Sequence, residues 1–105
     1  MNHYRLYFTN PNFYIADNSV SALIKMLKRL DNQLKVSRGK VPGGHQINFD
    51  SIMDQNTVRE KLNEFIERMK YENHKIHLEK IGRSEVGISE ELNNLISFNN
   101  FKIIE

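Results

Sequence analysis

Four histidines, His3, His45, His74 and His77, are the side chains of this 105-residue chain whose unperturbed titration lies near neutral pH. They are therefore its natural candidates for acid and base work. With no cysteine in the sequence, thiolate zinc sites, cysteine nucleophiles and disulfides are all excluded. His74 and His77 stand three apart, a chelating distance on a helix, but on a strand they point to opposite faces, so no metal site is expected. No catalytic triad emerges, and no cofactor is implied. A metal-independent ribonuclease needs only a base, an acid and cations, and His45 beside a basic loop, with Tyr7 or His3 across the sheet, would supply them.

The second group with chemical potential is cationic. Arg38-Gly39-Lys40-Val41-Pro42-Gly43-Gly44 combines positive charge with glycines that let a backbone approach phosphates closely. It matches neither the Walker A pattern nor the dinucleotide fingerprint. Net charge is only +2, yet the halves differ. Residues 1–49 carry Arg5, Lys25, Lys28, Arg29, Lys35, Arg38 and Lys40 against Asp17 and Asp31, whereas acids outnumber bases from Asp50 onward. Such asymmetry suits a nucleic acid or the acidic surface of a protein partner. The competing structural uses are a solvated helix face and a soluble turn.

These residues need elements to hold them. Tyr4, Leu6 and Phe8 alternate with His3, Arg5 and Tyr7, the period of a half-buried strand. Asn10-Pro11-Asn12 is turn chemistry, and Phe13 with Ile15 is expected to extend or back that strand. Val20, Leu23, Ile24, Leu27 and Leu30 recur at helical offsets, with Asn18 or Ser19 as the cap and Lys25, Lys28 and Arg29 on the flanks. Leu34 with Val36, and Ile47 with Phe49, predict two short strands joined by a flexible cationic loop over residues 37–44.

Thr57 and Glu60 form a capping-box pattern ahead of Val58, Leu62, Phe65, Ile66 and Met69, a second amphipathic helix. Ile76 and Leu78 alternate with His77 and Glu79 as a further strand that Gly82 interrupts. Ser89 then caps a short helix carrying Leu92, Leu95 and Ile96, and Phe101 to Ile104 is extended. Gly87-Ile88-Ser89 before that helix has the outline of a helix-turn-helix, but Glu90 and Glu91 would meet the phosphates, so DNA reading there is rejected. The order strand, helix, strand, strand, helix, strand predicts an α+β, ferredoxin-like βαββαβ antiparallel sheet. Both long helices cover one face, and a C-terminal helix and strand are appended.

Leu6-Tyr7-Phe8-Thr9-Asn10 on the first strand resembles the RNP2 signature of the RNA-recognition motif, and the element order carries the resemblance to about residue 81. That family stacks bases on an open sheet face, which implies such a role for Tyr7 with Arg5 beside it. The third strand, Gly43-Gly44-His45-Gln46-Ile47-Asn48-Phe49, matches RNP1 only in its last three residues. The lost aromatics would remove about 1–3 kcal/mol of stacking per base, with His45 as substitute. Alternatively, Tyr7 covers a sheet face beneath the C-terminal helix.

One domain spans residues 1–105, because this length supports a single core, and 39% apolar with 27% charged residues is ordinary for a globular protein. Neither a membrane span nor a signal peptide is apparent, so a cytoplasmic location is expected. Abundant Asn, Lys and Ile fit A/T-rich coding, as in a low-GC bacterium or a phage. The leading expectation is a non-enzymatic binding protein for RNA or another single-stranded nucleic acid, through Arg5, Tyr7, Lys25, Lys28, Arg29, Lys35, Arg38, Lys40 and His45. The second is a phage or mobile-element inhibitor of anti-CRISPR type that occupies a host or defence protein. The ribonuclease is the third.

Overall fold

Alternating apolar residues build the sheet. In the computed structural model, which describes residues 1–69 and 73–87, β1 (Asn2–Thr9) buries Tyr4, Leu6 and Phe8 completely, while His3, Arg5 and Tyr7 on its other side are only half-buried. It is followed by α1 (Phe13–Leu30), β2 (Lys35–Val41), β3 (Gly44–Ser51), α2 (Gln55–Arg68) and β4 (Lys75–Ile81). The strands form one antiparallel sheet in the order β2-β3-β1-β4. An α+β chain with this sheet and two helices is compatible with a ferredoxin-like core. Among the described residues, no helix is long and apolar enough to cross a membrane.

Three local expectations are corrected. Phe13 and Ile15 belong to α1 and not to a strand, because the helix starts at its Asn cap rather than at Asn18 or Ser19. The Asn12 side chain accepts from the Ile15 N–H at 3.2 Å, and Asn10 Oδ1 in turn accepts from the Asn12 N–H at 2.7 Å. The predicted loop over residues 37–44 is mostly strand. Arg38 pairs with Ile47 and Lys40 with His45, leaving Pro42-Gly43 as a two-residue turn. Gly43 sits at φ +81°, a value that follows well from a preceding proline in a tight turn. Finally, Asp54 rather than Thr57 caps α2, its carboxylate accepting from the Thr57 N–H at 2.7 Å.

The core lies between the sheet and the two helices. Val20, Leu23 and Leu27 of α1 and Val58, Leu62 and Phe65 of α2 cover Tyr4, Leu6, Phe8, Ile47 and Phe49. Tyr4 stacks on Phe49 with ring centroids 5.0 Å apart, and Phe8 meets the Phe65 ring edge-on at 6.4 Å. Every residue of β3 is buried, including Gln46, Asn48 and Asp50 on the face away from the helices. The second cover on that face is the stretch after β4. There Ser84 Oγ donates to Asp50 at 2.5 Å, Asn48 Nδ2 donates to the Glu85 carbonyl at 2.8 Å, and the Gly87 N–H donates to Ser37 Oγ at 2.7 Å. The expected C-terminal helix and final strand fall outside the described residues.

Candidate nucleic-acid interface

The expected contact residues divide between two places. Arg5 and Tyr7 lie on the sheet face away from the helices, next to Glu79 and His77 of β4. Arg5 ion-pairs with Glu79 at 3.2 Å and with Glu85, so its charge is answered on two sides. Burial opposes the Arg5 charge, but the hydrogen bond and charge of Glu85, with Tyr7 and Glu79, outweigh it and raise the pKa. Tyr7 stacks on His77 at 6.2 Å, and burial, partly offset by Arg5, raises its hydroxyl's pKa and keeps the phenol neutral. The platform implied by the RNP2 resemblance is thus partly occupied by the protein's own side chains.

On the helix side of β2, the Arg38 guanidinium reaches α1, donating to Asp17 at 2.9 Å and to Ser21 Oγ at 3.0 Å. This clamp shows which flank of α1 faces the β2 edge. Asp17, Ser21 and Lys28 fall on one line of the helix at about 100° per residue, and Lys25 and Arg29 turn from it toward solvent. Because β1 and β2 both run antiparallel to β3, α1 returns antiparallel to β2, and its C-terminal half approaches the strand's start. Lys28 and Arg29 in the last turn of α1 therefore lie near Lys35, the first residue of β2. Lys25, Lys28, Arg29 and Lys35 are exposed, and none makes an ion pair among the described residues. Lys40, farther along the same edge, is exposed as well.

His45 is a correction. Its side faces the core beneath α1, where it is 1% exposed, so it can neither stack a base nor serve a surface cleavage site. Burial, reinforced by Arg38 and Lys40 against Asp17, lowers its pKa and favours the neutral ring. His74 and His77 do point to opposite faces, His74 packing on Phe8 at 4.7 Å and His77 on Tyr7. His3 Nδ1 donates to Asp50 at 2.8 Å, and Asp50 also holds Ser84.

The residues that sequence reasoning missed are those of the second sheet face: Gln46, Asn48, Asp50, Glu79, Ser84 and Glu85. A signal existed in β3, where Gln46, Asn48 and Asp50 alternate with Ile47 and Phe49 and so share a polar side. Nothing local marked Ser84 and Glu85 as its cover. Comparison with family models, with curated proteins and with solved structures finds no match.

Proposed function

We propose that the chain is a small non-enzymatic binding protein, a ferredoxin-like βαββαβ domain that contacts single-stranded nucleic acid through the outer face of α1 and the start of β2. The observation that carries this reading is the run of exposed cations, Lys25, Lys28, Arg29 and Lys35, with no acidic partner among the described residues. Lys25 lies one helical turn from both Lys28 and Arg29, a separation of about 5–6 Å between Cβ atoms that suits successive backbone phosphates. Arg5 and Tyr7 are left to a supporting role, since Glu79 and Glu85 already neutralise the guanidinium.

Phosphate contacts displace counterions, so affinity must depend on salt. Four contacts give a slope of about −3 in log affinity against log salt for a single strand. Anisotropy of a labelled oligouridylate over a potassium chloride series measures it. Lys25→Glu with Lys28→Glu should weaken binding at least about tenfold and flatten the slope, while a flat response of the unaltered protein would remove the proposal.

One observation favours a second reading, an inhibitor seated on the acidic surface of a protein. Met1, Leu30 and Ile52 are exposed at 63%, 42% and 71%, and all lie at the sheet end where α1 finishes. Aliphatic groups beside Lys28 and Arg29 resemble a protein-binding patch more than a phosphate track. Capture of a protein that survives nuclease treatment and is lost in Ile52→Glu would favour this alternative.

A further inference from the structure

The edge of the sheet farthest from α1 offers a second surface. β4 is the outermost strand there, and among the described residues its outer edge pairs with no strand. An unpaired edge leaves backbone N–H and C=O groups pointing outward, ready to extend the ladder. Beside it lies a cavity of about 340 Å³ between α2 and β4, floored by Leu62, Ile66, Ile76 and Leu78. Ile76 and Leu78 turn to the helix side of the strand, whereas His77 turns to the other, yet all three line this cavity. It therefore opens over the strand's outer edge.

One cation, Arg59 on α2, borders the cavity, and Lys75 begins β4 on the strand's other face; neither makes an ion pair among the described residues. Glu79, the acid of the strand, has its two oxygens engaged by Arg5 and His77.

We propose that β4 and α2 together form a docking groove for an extended, acidic segment of a partner protein, which adds to the sheet as a fifth strand. Side chains of an added strand alternate between faces. Those on the helix side enter the cavity above Leu62 and Ile76 and are apolar. Those on the other side stand next to Lys75 and are acidic, with Arg59 at the α2 border adding to their attraction. A nucleic acid fits this groove poorly, since it has no peptide ladder to offer and its phosphates gain nothing from an aliphatic floor. The groove lies at the opposite edge of the sheet from β2, so the inference is independent of the nucleic-acid reading.

The test is an amide-resolved NMR titration of the ¹⁵N-labelled full chain with two capped peptides of one composition. One alternates glutamate and valine, Ac-Glu-Val-Glu-Val-Glu-Val-NH2, and the other groups the three valines together. The alternating peptide should shift the amides of residues 75–81 and the facing side of α2 and slow exchange of the outward β4 amides, while the grouped peptide binds at least about tenfold more weakly. Arg59→Glu with Lys75→Glu should weaken the alternating peptide by a similar factor, as should Ile66→Trp, which fills the cavity, and Lys25→Glu should change nothing. Equal binding of both peptides, shifts that avoid β4, hexanoate binding in place of the peptide, or oligouridylate shifting the same amides would each overturn the proposal.

Discussion

Asp31 carries the clearest stability argument at the level of a single residue. It is 4% exposed, and its carboxylate accepts from Ser51 Oγ at 2.8 Å, the Gln33 N–H at 3.0 Å and the Ile52 N–H at 3.2 Å, which ties the end of α1 to the end of β3. The Ser51 hydrogen bond, helped by the two backbone N–H groups and opposed by burial, lowers its pKa. A carboxyl group with a folded pKa below its unfolded one stabilises the fold above the ordinary aspartate range, and that contribution fades as pH falls through the folded value. Asp31→Ala strands three donors and should destabilise the protein by about 1–3 kcal/mol near neutrality. Because the variant no longer has this carboxylate to protonate, its deficit should shrink in acid. Urea unfolding at about pH 7 and about pH 3 measures both effects, and a deficit that does not change with pH would assign the loss to packing alone.

Among the elements, the β2–β3 hairpin separates two kinds of glycine. Gly43 needs its positive φ, but a Cβ there would meet nothing within 4 Å. At Gly44 a Cβ would fall 2.0 Å from the Phe8 carbonyl oxygen and 2.9 Å from the Thr9 Cα, both in the backbone of β1. Gly43→Ala should cost about 1 kcal/mol of backbone strain. Gly44→Ala should cost about 3 kcal/mol or more, because the central strand pair has to separate locally. Chemical denaturation of the two variants tests this order, and equal losses would contradict it. Sequence reasoning treated both residues as parts of one flexible loop. The alternation Val36, Arg38, Lys40 was visible, but its polar members hid a strand whose helix-side positions are cationic. By contrast, the apolar stripes of α1 and α2 and the alternation of β1 and β4 were legible, since hydrophobic periodicity dominates where one face is buried, although Leu30, read as the last member of the α1 stripe, lies exposed at the helix end. Caps were misjudged because Asn12 and Asp54 compete with equally plausible neighbours, and only the side-chain bond decides among them. For the candidate site, the exposure of Lys25, Lys28 and Arg29 followed from their place beside the α1 stripe. The burial of His45 was legible too, because by alternation it shares the Ile47 and Phe49 side of β3, but its place beside the supposed loop drew it toward a surface role.

Across the whole molecule, the two faces of the sheet are held by different physics. The helix side is an apolar core, while the other is a polar layer in which residues 84–87 connect to β1, β2 and β3 through Arg5, Ser37, Asn48 and Asp50. A buried polar layer is stabilising only when its members satisfy one another, so the ties in it should be energetically coupled. The Arg5–Glu85 ion pair is the natural probe: the side chains are 25% and 16% exposed, enough burial for the pair to be poorly screened and enough solvent for either variant to fold. Arg5→Met and Glu85→Gln should each lower stability, and the double variant should lose less than their sum, with a coupling of about 1 kcal/mol in a urea-unfolding cycle. That coupling should persist at high salt, unlike the oligouridylate affinity assigned to the exposed α1 cations, because a partly buried contact pair is screened less than charges open to solvent. A coupling of zero would mean that this ion pair does not stabilise the fold, leaving residues 84–87 to the hydrogen bonds of Ser84, the Glu85 carbonyl and Gly87.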